Sequence, residues 1–254
     1  ALGIYIRKYQ AFFEDTDIRD IGTKRIHDFF LSLKGKPHYI KNILTALEKL
    51  FHDALEWEDI TQIPKFPSVT VPDPDTEIID LDLQDKIVAA IPDPMDRGFI
   101  LFTAREMVRP SETRALQWPD IDLKHGQVTV RRHYSLNEIR PTTKSKRIKK
   151  LPLDGEVKDM LEHLPRHLTS PFVFWKRDGK PFSESWARKL WRRISSALGV
   201  DIPLYQGTKH SSATEATDRV GVDAVQEFLD HTNRRTTLRY VQKNPERLKK
   251  VLRK

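Results

Sequence analysis

The sequence predicts a mainly α-helical protein with a small β-sheet, divided into two domains. Three observations carry this. Residues 1–70 hold apolar stripes at helical spacing, and a proline-rich stretch follows them. Beyond the prolines, helical stripes are interrupted by a pair of segments in which β-branched residues alternate with polar ones.

Taken in order, residues 4–13 and 23–33 read as short helices. Residues 38–56 form the clearest one, because Ile40, Ile43, Leu44, Leu47, Leu50, Phe51 and Ala54 line a single face. "IPKFPSVTVPDPDTE" then carries four prolines, which fix φ and remove donors, so an extended connector is expected. This sets the domains at 1–70 and 78–254, with 71–77 as linker. Asp82 with Asp85 resembles a helix cap before Ile87 and Ile91. Residues 95–106 read as a buried helix, and Pro110 suits the first position of the next, where a missing N–H costs nothing. "GQVTVRRHY" and "RIKKLPL" read as a β-hairpin whose turn, "RPTTKSK", is basic. Ser183 caps a helix bearing Trp186, Leu190, Ile194 and Leu198, ended by Gly199. The remainder reads as helices with short breaks.

Composition narrows the function. The 254 residues contain no cysteine, which excludes disulfides and thiolate metal sites. No apolar run is long enough for a membrane span, so no membrane partner is expected. The net charge is +8, and the excess lies in two blocks, residues 131–150 and 234–254, each with one acidic residue, Glu138 and Glu246. Clustered cations point to a polyanion, with nucleic acid ahead of an acidic protein. The acidic "PDPDTE" sits among prolines and reads as a solvated connector rather than a cation site.

Cleaving and rejoining a phosphodiester with side chains alone requires a nucleophile, cations on the non-bridging oxygens, a proton donor to the leaving oxygen and a base. Four stretches supply such residue types: "LFTAREMVRPSETRALQWPDIDL", "TTKSKRIKKLPL", "QGTKHSSAT" and "FLDHTNRRTTLRY". Each is unremarkable alone. A lone arginine before Pro-Ser-Glu is usually a surface residue, turn lysines usually serve solubility, and a lone tyrosine is usually a packed aromatic.

Together, in this order and spacing, they resemble the tyrosine recombinase (phage integrase) family over about residues 78–242. The resemblance implies a helical core-binding domain and a mixed α+β catalytic domain closing as a C-shaped clamp on DNA. It puts Arg109 in the first catalytic arginine position, with Glu112 beside it and Arg105 as a decoy one turn earlier. Lys144, eight residues before Pro152, takes the general-acid lysine's place, and Lys146 is its runner-up. The third box departs from the family's His-x-x-Arg-His. Gln206 replaces the first histidine, Lys209 the arginine, and His210 is retained. Lysine keeps the charge without the two-pronged grip of a guanidinium, and glutamine cannot serve as a base. His231, nine residues before Tyr240, takes the phosphate-binding histidine's place, Asp230 replaces a common glycine, and Tyr240 is the nucleophile.

The implied function is site-specific DNA recombination through a 3′-phosphotyrosine and a Holliday junction, with no cofactor and no metal. Two readings stand beside it: an architectural DNA-binding relative disabled at Gln206 and Lys209, and strand cleavage and religation of the type IB topoisomerase kind. DNA contacts are expected from Lys34, Lys36, Lys41 and Asn42 in the first domain. In the second they are expected from Arg131, Arg132, Lys146, Arg147, Arg188, Lys189 and Arg192. The implied partners are a double-stranded attachment site, further copies of the chain up to a tetramer in synapsis, and accessory DNA-bending proteins. The tail, with Val241, Leu248, Val251 and Leu252 at helical spacing, is a candidate to pack on a neighbouring copy. A cytoplasmic, nucleoid-associated protein of a prokaryote or phage is expected. Because the chain opens on Ala1, a removed N-terminal arm-binding domain stays open.

Overall fold

The computed structural model describes residues 2–72, 76–136, 138–143 and 147–241. Two compact units divide the chain, residues 1–75 and 76–254.

Three helices build the first unit: α1 (Leu2–Phe13), α2 (Thr23–Ser32) and α3 (Pro37–Glu56). The stripe on α3 is buried at Ile43, Leu44, Leu47, Phe51 and Ala54, so the 3.6-residue periodicity reports a real core face. Phe12, Phe13 and Phe29 cluster with ring centroids 5.1 Å apart. Tyr9 donates its hydroxyl to the Ile43 carbonyl at 2.7 Å, and burial pushes its phenol up to about 12. The proline-rich stretch forms no helix or strand among its described residues, yet its beginning belongs to this unit. Ile63, Phe66 and Val69 pack on the helical core, Phe66 lying 5.7 Å from the Phe51 ring.

The second unit begins with α4 (Leu81–Ala89), α5 (Pro94–Arg105) and the single turn α6 (Pro110–Thr113). The cap of α4 is Asp80, which accepts from the Leu83 N–H at 2.7 Å, not the expected Asp82 with Asp85. Asp82 lies inside the first turn, and Asp85 pairs instead with Arg105. Helix α5 is the centre of the core: Phe99, Ile100 and Phe102 are fully buried, and Phe99 meets Phe174 and Phe182 edge-on at 5.7 and 5.5 Å. Strands β1 (Ile121–Asp122) and β2 (Gln127–Val130) follow.

The expected pairing of "QVTV" with "KKLP" is present, β2 running antiparallel to β5 (Lys149–Pro152) with Val128 opposite Leu151. The connection between them is not a simple basic turn. A second hairpin intervenes, β3 (His133–Ser135) with β4 (Glu138–Arg140), on which Tyr134 pairs with Ile139. A three-residue strand offers little periodicity to read, which is why the sequence hid it.

Helix α7 (Gly155–His163) is capped by Asp154, and α8 (Glu184–Ala197) by Ser183, which accepts from Trp186 N–H at 3.2 Å. Gly199, at φ 75°, ends α8 as expected. A five-residue π-helical turn, Gln206–His210, then leads into α9 (Ser211–Val220). The described chain closes with α10 (Val222–Phe228), the turn α11 (Arg234–Thr237) and a 3-10 turn, Leu238–Tyr240. No helix among the described residues is long and apolar enough to cross a membrane.

Candidate active site

The site forms where α6, the π turn and the C-terminal turns meet. Between α5 and α6 the chain reverses at Met107, which adopts φ 47°, a left-handed conformation rarely taken by a residue with a side chain. That reversal leaves Arg109 as the residue preceding α6. Its backbone N–H and its Nη1 both bond the Glu112 carboxylate at 3.2 Å. Glu112 is itself buried, so one carboxylate fixes both the helix start and the guanidinium. Among the described residues Arg109 engages this single carboxylate, which leaves further donors of its fork for an anion.

The π turn is held from several sides. Gln84, fully buried on α4, donates to the Gly207 carbonyl at 2.9 Å and to the Thr208 carbonyl at 3.3 Å. Ser211 donates to the Gln206 carbonyl at 2.6 Å. Gly207 is required by packing, because a Cβ there would fall 2.0 Å from Cζ2 of Trp191. A π turn shifts the register of the residues after it, a device that recurs at functional sites. Here it turns Lys209 and His210 inward, and both are buried. The Lys209 ammonium donates to the Met107 carbonyl, the group exposed by the left-handed reversal. Burial, then the Lys149 and Arg109 charges, pushes the Lys209 ammonium well below the usual lysine range.

The third wall comes from residues 230–240. Asp230 stands at φ 52°, which explains why glycine is the common residue in the resembling family's motif. Nδ1 of His231 lies 3.0 Å from the Thr237 hydroxyl, while its Nε2 is buried without a partner among the described residues. Burial and the surrounding Lys209, Lys149 and Arg109 charges push His231 down to about 4, so its imidazole is neutral. Tyr240 is buried, its ring 4.8 Å from His210 and stacked 6.1 Å from His231 at an interplanar angle of 15°. Its hydroxyl lies 3.1 Å from that of Tyr205. Burial and the neighbouring Tyr205 raise the Tyr240 phenol well above its ordinary value. A buried phenol flanked by two histidines, with an arginine and two lysines close by, brings together the residue types that nucleophilic attack on a phosphate requires.

The sequence of residues 79–247, more than half of the chain, matches the model of the phage integrase family. The chain belongs to that family. It is a tyrosine recombinase, an enzyme of site-specific DNA recombination. The fold agrees with solved members. A Tn1549 transposon integrase in complex with a circular intermediate DNA superposes with a TM-score of 0.75 at 17% identity, covering 99% of this chain and 92% of that one. A lambda integrase dimer bound to a COC' core site gives 0.72 at 17%, covering 94% and 86%. XerA recombinase gives 0.57 at 19%, covering 98% and 88%. No curated protein sequence matches the chain.

In this recombinase Arg109, Glu112, Lys209, His210, His231 and Tyr240 come together, with Gln206 at the π turn's start. Lys144 and Lys146 lie outside the described residues, as does the tail from residue 242. The expected decoy, Arg105, is bound elsewhere, to Asp85 at 2.6 Å and Glu156 at 3.0 Å. Several expected DNA contacts are held by carboxylates: Arg131 and Arg132 share the buried Asp120 at 2.9 and 2.5 Å, and Arg147 meets Asp230 at 3.0 Å. Arg188 faces Glu184 at 3.8 Å on α8, where Lys189 and Arg192 are exposed beside it. Lys34, Lys36, Lys41 and Asn42 are exposed in the first unit.

Sequence reasoning missed Tyr205 and Lys149. Tyr205 precedes the family box and had no motif to mark it. Lys149 opens β5 on the strand's inward face, where burial and the Arg109 charge push its ammonium down against the opposing pull of Glu112. Its one legible signal was strand alternation, which places residues 149 and 151 on the same buried face.

Proposed function

We propose that the protein cleaves and rejoins DNA strands at a specific attachment site by transesterification, with Tyr240 as nucleophile. The observation that carries this reading is the Tyr240 phenol, buried between His210 and His231 beside Arg109, Lys149 and Lys209. The phenol oxygen attacks the scissile phosphorus and a 3′-phosphotyrosine forms. The bond to the 5′ oxygen breaks, and Lys144 protonates that leaving oxygen. Arg109 binds two phosphate oxygens, His231 donates to the phosphate from Nε2, and Lys209 adds positive charge from below. Glu112 orients Arg109. Rejoining to a partner strand through a Holliday junction conserves the phosphodiester energy, so no nucleotide cofactor enters.

Lys34, Lys36, Lys41 and Asn42 of a core-binding domain at residues 1–70, with Arg188, Lys189 and Arg192 of the catalytic domain, track the DNA backbone. Phosphate contacts of this kind position the duplex and make binding salt-dependent. Arg131, Arg132 and Arg147 contribute once phosphate displaces their carboxylates, with Lys146 alongside. Synapsis joins four copies, the tail packs on a neighbour, and DNA-bending proteins assist, all in the cytoplasm. A second reading is an architectural relative without catalysis, favoured by Gln206 and Lys209 standing where the family has histidine and arginine.

A nicked suicide duplex carrying the attachment sequence, taken from the DNA flanking the gene, tests the choice. Wild type is expected to give a covalent protein–DNA band on a denaturing gel, and Tyr240→Phe none. Tight binding by wild type with no adduct would establish the architectural reading instead.

A further inference from the structure

Tyr240 must lose its proton to attack, yet its buried surroundings hold that proton tightly. Gln206, standing at the family's histidine position, cannot take it. We infer that His210 is the proton acceptor for Tyr240 in this recombinase, a role that rests on Tyr240 being the nucleophile. Three features of the geometry support it. The His210 ring lies 4.8 Å from the Tyr240 ring, tilted by 57°, and 6.3 Å from the Tyr205 ring. Its Nε2 is buried and has no hydrogen-bond partner among the described residues, a costly condition for a polar atom that serves structure alone. The π turn that brings it there is fixed by Gln84, Ser211 and the Gly207–Trp191 contact, so the ring is held in place.

His231 is the other candidate and fits less well. Its Nδ1 is engaged with Thr237, its ring lies nearly parallel to that of Tyr240, and at about 4 it is a weak base. The charged and titratable groups around His210 are Lys209 on its own turn, Tyr205 just before it, and Tyr240 from the C-terminal turn. Burial first and the Lys209 charge second lower its pKa, so the imidazole is unprotonated and able to accept at neutral pH. Charged groups of α5 and α9, which also pack on the turn, are not among the causes.

With Nδ1 protonated, His210 Nε2 accepts the phenol proton as the Tyr240 oxygen bonds phosphorus, and the electron pair of the broken P–O bond goes to the 5′ oxygen. That oxygen takes its proton from the separate acid. On rejoining, the 5′ hydroxyl attacks and returns its proton to that acid, while the imidazolium gives its own to the departing Tyr240 oxygen. In the free protein the hydroxyl faces Tyr205 at 3.1 Å, so it turns from Tyr205 to His210 as the phosphate enters.

The test is the single-turnover rate of adduct formation on the nicked duplex between about pH 5 and pH 9, for wild type and His210→Gln. Wild type is expected to rise along an acid limb with its midpoint below the usual histidine value and then level off. His210→Gln is expected to be about 100-fold slower near neutrality and to gain about tenfold per pH unit, as hydroxide replaces the lost base. A variant within about threefold of wild type, or slower by one constant factor at every pH, would overturn the assignment. Gel shift and thermal melting show whether the variant is folded. If it is not, His210→Asn and the wild-type profile decide, and a wild-type rate level across the whole range overturns the assignment. A wild type that forms no adduct at any pH overturns the Tyr240 reading as well.

Discussion

Arg105 and Arg109 stand one helical turn apart in sequence and are equally buried, yet they do different things. Arg105 ends α5 with both sides of its guanidinium taken, by Asp85 and Glu156, which are about half exposed. Arg109 meets one carboxylate, Glu112, which is 1% exposed and also occupied by the Arg109 backbone. One arginine is saturated at a wet surface. The other is anchored by a buried carboxylate, and its charge acts on His231 and Tyr240. What distinguishes the structural cation from the proposed phosphate ligand here is how many of its donors the described residues have already used.

Removing each arginine should break that comparison most sharply. Arg109→Ala is expected to slow adduct formation by about 10²–10³-fold while leaving the melting temperature nearly unchanged. Arg105→Ala should leave the cleavage rate within about threefold. Equal losses in the two variants would show that Arg105 also reaches the phosphate.

Glu106, between the two arginines, gives the next largest effect, on stability. It is buried, accepts only the Asp154 N–H at 2.9 Å among the described residues, and is pushed up to about 7 by that burial. Its folded pKa is raised above the unfolded value, so the native state holds the extra proton. Stability is therefore fullest below the unfolded value and falls as pH rises from about 4.5 to about 7. The loss is on the order of 3 kcal/mol. Glu106→Gln should flatten it, as urea melts at pH 5 and pH 8 would show. Asp96, raised to about 6 by half-burial, leaves a smaller slope of the same sign.

Gly207→Ala should cost about 2 kcal/mol or more, because Trp191 is held by its own bond to the Ile202 carbonyl at 2.7 Å and cannot yield freely. Activity lost together with melting temperature would mark the π turn as a packed support. At the small end, Arg105→Ala should lower stability by only about 1 kcal/mol, as expected for an ion pair whose partners are half in water.

The long periodic helices were legible in the sequence because Ile43, Leu47 and Phe51 repeat over many turns. Tyr240 and Arg109, the proposed nucleophile and phosphate ligand, were marked as candidates by motif spacing. Asp80 was not recognised as the α4 cap because Asp80, Asp82 and Asp85 all qualify by type, and only the turn geometry selects one. The hairpin β3–β4 was too short to show a period. Strand alternation marks Lys149 as inward-facing but not what it faces, and Tyr205 and the Nε2 of His210 could not be read, since each depends on which side chains long-range folding brings together. The bond between Lys209 and the Met107 carbonyl belongs to the same class, because a left-handed residue with a long side chain has no local signature.

The most direct test of the account is to digest the covalent adduct formed on the nicked duplex and sequence the peptide that remains on the DNA by mass spectrometry. The nucleotide is expected on Tyr240, in the peptide that follows "RRTT". Attachment at the neighbouring Tyr205 would contradict it, and so would a DNA strand released with no peptide bound.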